Sequence, residues 1–299
     1  MGTGGSKFML SGDTPQHAQQ RKCMAAALYR DGWKSHIKAF YRSMTEQLLR
    51  EKSYVLAGQT HVDIIRDVGN IAHVHFAARM FNLPLKTREN PKGIFSEHEL
   101  YTVLAVIFAA IFFDIDPAKS FPLRQAAKTV AQQLGAIIET NVKVATGFGL
   151  KGLFTSSPGA NDPLAAYGTK LIQGLAKSGL SKEDIAWSQI LPTAGAMVPN
   201  QAEVFAQAVD YYLGEGKGHL LEIHRVACLQ DSDETDALLL GYAMEGIRLA
   251  GTFGSYRGAA MADVVKEDDG REVHVQAGDR VFVSFVGLSF TRPNGDSMC

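Results

Sequence analysis

Residues 190–213 read ILPTAGAMVPNQAEVFAQAVDYYL. Apolar positions recur every three to four residues, and the centre, Ala194-Gly195-Ala196, carries no bulky side chain. The spacing predicts one long central helix. Pro192 and Pro199 stand inside it, where each removes a hydrogen bond and kinks the helix unless something compensates. The small residues allow a flat ligand or another backbone to approach closely, and Asn200-Gln201 adds two amides one turn on. The plainer reading of the same residues is a core helix with small packing positions.

Working outward, helix signals dominate. Asp13-Thr14-Pro15 opens a helix that Gly32 ends, and Trp33 to Lys52 makes the next. Ile64 to Phe81 is a third, Ser96 with Glu99 caps an apolar segment over 97–113, and Pro122 to about Val144 is a long amphipathic helix. Gly147 to Pro163 reads as a loop. A helix over 163–178 follows, Ser181 with Asp184 caps the run into Leu213, and two more helices cover 219–229 and 233–250. The pattern then changes. Thr252 to Tyr256 predicts a strand, and Val273–Val275 with Arg280–Val286 predicts a hairpin around Ala277-Gly278-Asp279. The fold class is mainly α with a small β element near the C-terminus.

Composition narrows the function classes. The chain has 299 residues, Lys plus Arg total 30, Asp plus Glu total 31, and the formal net charge is −1. That balance argues against a nucleic-acid binder, whose footprint is a basic excess. Three cysteines, Cys23, Cys228 and Cys299, make no disulfide framework and no zinc cluster. The apolar run Leu100 to Phe113 is shorter than the ~20 residues a bilayer span needs. The expectation is a cytoplasmic, intracellular protein, with peripheral contact to membranes allowed for.

General catalytic motifs are missing: no GxSxG, HExxH, Walker loop or GxGxxG in strand–helix context occurs. His73 and His75, two apart on a helix, point to different faces and read as core or surface histidines, so no metal site is assigned. Three constellations remain. His17 and Arg21 lie at i and i+4, where two donors can grip one anion; a plain surface pair is the competing reading. Glu245 and Arg248 lie at i and i+3 in an otherwise apolar helix, and a buried pair there must be satisfied by further hydrogen bonds. The third is Ala194-Gly195 with Asn200-Gln201.

In order and spacing these resemble the cytochrome P-450 superfamily. The resemblance implies that His17 and Arg21 sit on the helix that supplies haem-propionate donors, with Ala194-Gly195 on the long helix crossing the haem. Glu245 and Arg248 match the ExxR pair, and Arg257, about nine residues on, matches another propionate donor. Residues 275–281, VQAGDRV, resemble the hairpin that follows. The stretches 66–87, 90–124 and 190–213 resemble more narrowly the C-terminal P-450-like domain of the fungal linoleate diol synthases, or psi-producing oxygenases. In those fusions an N-terminal haem dioxygenase makes a fatty-acid hydroperoxide, which the second domain isomerises without a reductase. Their long helix carries Ala-Asn-Gln-x-Gln; here Pro199-Asn200-Gln201-Ala202-Glu203 keeps Asn and Gln and departs at Pro199 and Glu203. A neutral amide suits a hydroperoxide, whose O–O bond needs orientation and oxyanion stabilisation rather than the proton relay of a monooxygenase.

The family's FxxGxxxCxG loop, which bears the axial thiolate, does not occur. Residues 287–299, GLSFTRPNGDSMC, do not resemble the family. The expectation is therefore a partial P-450-like domain over 1–286, incomplete at both ends, and a divergent tail over 287–299. Three functions compete: a hydroperoxide isomerase domain, inactive as it stands; a non-catalytic haem-domain remnant that binds fatty acid or a partner domain; and an ordinary monooxygenase, disfavoured by Asn200-Gln201. The cofactor implied by the resemblance is haem, and the implied partner is the N-terminal dioxygenase domain.

Overall fold

The computed structural model describes residues 7–12, 14–113, 120–147, 164, 166–251, 254–267 and 269–284. They fall into two compact units, Met1–Glu203 and Val204–Cys299.

The first unit is helical. α1 (Pro15–Leu28) and α2 (Trp33–Lys52) precede a small antiparallel hairpin, β1 (Tyr54–Leu56) with β2 (Gln59–His61). A π-helical turn, Ile64–Gly69, runs into α3 (Asn70–Phe81), followed by α4 (Glu97–Phe112), α5 (Phe121–Thr146) and α6 (Tyr167–Lys177). A second π-helical stretch, Asp184–Ile190, leads into α7 (Leu191–Leu213). α3 is apolar nearly all round, as an interior helix must be, and buries Ile71, Val74, Phe76, Ala77, Met80 and Phe81. The main core joins α3 to Leu100 and Leu104 of α4, Leu134 and Ile138 of α5, Leu171 of α6 and Ala194 and Val198 of α7.

The helix starts follow their sequence signals. Ser96 accepts from the Glu99 N–H (3.4 Å) while the Glu99 carboxylate accepts from the Ser96 N–H (2.8 Å), completing the capping box. Ser181 likewise accepts from the Asp184 N–H at 3.0 Å. Pro192 is the second residue of α7, directly after the π-helical stretch. Pro199 lies in the interior. Asp13 and the segment 148–163 lie outside the described residues.

In the second unit α8 (Leu220–Ala227) packs against α9 (Asp233–Ala250), whose first turn Ser232 caps through the Thr235 N–H (3.1 Å). Among the described residues that follow are the strands β3 (Gly254–Gly258), β4 (Asp263–Lys266), β5 (Glu272–Val275) and β6 (Arg280–Ser284). Their pairing corrects the expected hairpin. β5 pairs with β4 and β6 pairs with β3, so residues 273–275 and 280–284 are not partners. The turn at Ala277-Gly278-Asp279 does form, with Gly278 at φ +92°, but it carries the chain from one pair to the other. The hairpin turn proper is at Asp269-Gly270, with Gly270 at φ +84°. Gly270 meets the positive-φ demand of a tight turn without strain, and Val265 faces Val273 across the pair.

Candidate functional site

α7 carries the amide pair, and its two sides differ. Leu191, Ala194, Gly195, Val198, Pro199 and Ala202 are buried. A β-carbon on Gly195 would stand 2.9 Å from Cγ2 of Ile107, so the close approach that this glycine permits is to α4. Asn200 is exposed, while Thr193, Ala196, Met197 and Gln201 are half-buried. The Thr193 hydroxyl donates to the Gln189 carbonyl (2.5 Å) and is thereby turned into the helix. The Gln201 carbonyl oxygen is buried with no hydrogen-bond partner. An acceptor left in that state costs ~1–3 kcal/mol until a donor reaches it. On α4, burial and then the Glu203 carboxylate raise the Tyr101 hydroxyl above its ordinary value.

His17 and Arg21 lie on one face of α1, as their spacing predicts. Both are tied to the segment before the helix. His17 is buried; its Nδ1 pairs with the Thr14 hydroxyl at 2.9 Å and its Nε2 with the Ser11 hydroxyl at 3.2 Å. Arg21 donates to the Met9 carbonyl (2.8 Å) and the Gly12 carbonyl (3.2 Å). Arg257 lies in β3 opposite Val281, and its side chain is outside the described set.

Glu245 and Arg248 form a bidentate pair, at 2.8 Å through Nε and 2.6 Å through Nη2. The expected burial does not occur: their side chains are 43% and 34% exposed. The physical reason is local. α9 turns Gly246 under the Tyr212 ring and lodges Thr235 at its start, while Leu238, Leu240 and Met244 on the same helix remain exposed. The pair sits between those sides. Its carboxylate still raises the Arg248 guanidinium above the ordinary value, chiefly through the hydrogen bond itself.

His73 and His75 each make a side-chain hydrogen bond within the chain. His73 pairs with the Tyr41 hydroxyl at 2.8 Å, and burial holds its ring down to about 4. His75, also on α3, meets the Glu97 carboxylate at 2.7 Å, and Lys52 donates to the other oxygen at 2.6 Å. The His75 hydrogen bond first, then that of Lys52, hold Glu97 down to about 2. Nothing in the local sequence announced this triad, because Lys52, His75 and Glu97 come from three separate helix positions. The β1–β2 hairpin was also missed; its signal was Gly58, at φ +77° after Ala57.

Whether these residues suit a haem can be tested on their chemistry. His17 and Arg21 are donors of the kind that hold carboxylates, although the chain's own segment 8–14 engages them here. The sulfurs do not suit an axial position. Cys23 packs against the main core and accepts from the Gln19 amide at 3.6 Å, and Cys228 is exposed beside His224 at 3.7 Å. Cys299 lies outside the described residues. No described residue is placed as an iron ligand of haem-thiolate type. Among the described residues no cluster of three or more metal-ligating side chains occurs, and no helix is long and apolar enough to cross a membrane.

Comparison with known proteins gives the class. No family model matches the chain. P450BioI, solved with hexadec-9Z-enoic acid ligated acyl carrier protein, superposes with a TM-score of 0.66 at 15% identity, over 95% of this chain and 61% of that one. CalO2 superposes at 0.62 and 13% identity, over 97% and 61%. The fold is that of a cytochrome P-450, represented here by about three-fifths of the solved chains' length.

Sequence comparison finds relatives of much higher identity. The chain is 67% identical over 288 residues to a bifunctional dioxygenase–epoxy alcohol synthase of Fusarium oxysporum, covering 96% of this chain and 22% of that protein. It is 49% identical to psi-producing oxygenase A of Emericella nidulans, over 94% and 26%, and 35% identical to linoleate diol synthase of Gaeumannomyces graminis, over 88% and 27%. It is similar to these fungal proteins over nearly its whole length, and spans about a quarter of theirs.

Proposed function

We propose that the chain is part of a fatty-acid hydroperoxide isomerase of the epoxy alcohol or diol synthase kind. The observation that carries this reading is the outward carboxamide of Asn200 on α7, in a chain 67% identical to a dioxygenase–epoxy alcohol synthase. Asn200 would donate its amide N–H to a hydroperoxide oxygen, orienting the O–O bond and stabilising the oxyanion that develops as it breaks. A neutral amide does this at any ordinary pH. Gln201, whose buried oxygen lacks a donor, would accept from the substrate's O–H or from a water beside it. His17 and Arg21 would hold the carboxylates of a haem, with Arg257 and the Ala194-Gly195 face assigned by resemblance; when bound, the haem supplies the redox centre for O–O cleavage.

The relatives' bifunctional names support an N-terminal dioxygenase domain as the source of hydroperoxide. We take residues 1–286 as the P-450-like domain and 287–299 as lying outside it, and we assign the protein to the cytoplasm. Peripheral membrane contact fits the end of α4 and the start of α5. There Phe113 and Phe121 are 63% and 62% exposed, and the Phe108 ring packs on Phe112 and Phe113 at 4.7 and 5.6 Å.

The placement of Cys23 and Cys228 favours a second reading, a haem-domain remnant without thiolate ligation. One experiment separates the two. The purified chain is supplied with haem, reduced and treated with carbon monoxide, then incubated with a linoleate hydroperoxide. A red-shifted Soret band with isomerised product, lost in Asn200→Leu, supports the enzyme. Haem binding without that band or product supports the remnant.

A further inference from the structure

The π-helical stretch that leads into α7 carries polar side chains into the interior without partners. Ser188 and Gln189 are 1% and 0% exposed, yet the Ser188 hydroxyl and both ends of the Gln189 carboxamide find no hydrogen-bond partner among the described residues. Buried polar side chains nearly always have one, from the protein or from ordered water. Left unpaired, each costs the folded state its desolvation.

The backbone at the same place is also short of donors. The Leu191 N–H reaches back five residues to the Ala186 carbonyl, so it is lost to the Trp187 carbonyl that it would serve in an α-helix. Pro192 has no N–H, so the Ser188 carbonyl loses its α-helical donor as well. At the Gln189 carbonyl a donor returns, the Thr193 hydroxyl at 2.5 Å. Nearby side chains are committed elsewhere: the Trp187 indole N–H to Glu139, and the Asp184 carboxylate to Ser181 and Lys7. Ile185, Ala186 and Ile190 belong to the apolar core. Three consecutive residues, 187–189, therefore hold two carbonyls, a hydroxyl and a carboxamide that all call for partners. The groups are neutral and include donors and acceptors, which suits a small neutral ligand able to donate and accept at once. Water is such a ligand; it needs two to four polar partners to stay buried, and interrupted helical ladders are where it inserts.

We infer that residues 187–189 form an internal water-binding site, in which ordered water bridges the Gln189 carboxamide, the Ser188 hydroxyl and the carbonyls left without donors at the π turn. Water held there completes the hydrogen bonding across the junction from which α7 starts. The site does not include Asn200 or Gln201, and the inference does not rest on the hydroperoxide reading.

The test is Gln189→Met in the full chain. Magnetic relaxation dispersion of the solvent counts long-lived internal waters, and urea denaturation gives the unfolding equilibrium constant. Methionine has nearly the length and volume of glutamine, so packing is largely kept. In a dry interior the variant removes unpaired polar atoms, and the unfolding constant should fall by about tenfold. In a hydrated one it strips water of its partners. The expected result is the loss of at least one long-lived water and an unfolding constant raised by about tenfold. A variant more stable than wild type, or one with an unchanged count of long-lived waters, would overturn the inference. The wild-type chain carries a second readout that does not depend on the variant folding. Nitrogen-edited NOE and ROE spectra should show contacts between the Gln189 side-chain amide protons and water, with the sign of a bound rather than an exchanging proton. Absence of those contacts would also overturn it.

Discussion

The indole of Trp187 fills the space that a β-carbon on Gly135 would need: that carbon would stand 2.3 Å from Cζ3 of the ring. Trp187 belongs to the π-helical stretch before α7 and Gly135 to the middle of α5, so this contact seats the start of the long helix. The indole N–H also donates to Glu139, one turn along α5, at 2.9 Å. In an exposed helix Gly→Ala gains up to about 1 kcal/mol. Here overpacking outweighs that gain, and Gly135→Ala should destabilise by about 1–3 kcal/mol. Urea denaturation followed by tryptophan fluorescence reads both the loss and a shifted Trp187 emission.

Glu97 joins α2, α3 and the start of α4 through Lys52 and His75. Its carboxyl is held down from 4.5 to about 2. A folded value below the unfolded one gives stability that is present above pH 4.5 and is lost as the pH falls toward 2. Glu97→Gln should remove that slope and cost ~1–3 kcal/mol at neutral pH. Denaturation midpoints measured from pH 7 to pH 3 decide it; parallel curves for variant and wild type would refute the assignment.

His73 works in a neighbouring window with a different cause. Burial favours its neutral ring, holding it from 6.5 down to about 4 beside the Tyr41 hydroxyl. The unfolded chain takes up the proton first, so stability declines as pH falls from 6.5 to about 4. His73→Phe should lose that decline while costing ~1–3 kcal/mol at pH 7.5, because the Tyr41 hydroxyl is left without its partner. A wild-type chain equally stable at pH 7.5 and pH 5 would contradict this.

The Glu245–Arg248 pair should be worth far less than a buried pair of the same type. Buried, loss of one partner would cost ~3–5 kcal/mol. With a third or more of each side chain in water, screening reduces it to roughly 0–1 kcal/mol. Arg248→Ala, measured in low and in high salt, should show a small cost that shrinks further as salt rises. A cost above about 2 kcal/mol would mean that α9 is more enclosed than its exposed Leu240 and Met244 indicate.

Much of the helical frame was legible because it is written in local signals. Ser96 with Glu99 and Ser181 with Asp184 are caps that bond within three residues, and the apolar run of α4 needs no partner to be recognised. Strand pairing was less legible. The turns at 269–270 and 277–279 both look like hairpin turns, and only one of them closes a pair of adjacent strands. In the site, the residue types and spacings of His17, Arg21, Asn200 and Gln201 could be read directly. Their surroundings could not: Ser11 and Thr14 on either side of His17, the exposure of Arg248 and the unpartnered oxygen of Gln201 depend on groups that sequence distance does not order. Lys52, His75 and Glu97 are the clearest case, three unremarkable charges until folding places them within hydrogen-bond reach.

The two π-helical stretches, Ile64–Gly69 and Asp184–Ile190, have a consequence for how the chain tolerates changes of length. A π turn amounts to one residue inserted into an α-helix, and each residue of an α-helix is turned about 100° from the last. Removing a single residue from 184–190 would therefore relax that stretch to an ordinary α-turn and leave the phase of α7 unchanged, with Ala194, Val198 and Ala202 still facing the core. A deletion inside α7 would instead turn every later side chain by about 100°. Single-residue deletions should be better tolerated in the π-helical stretches than within the long helix that follows.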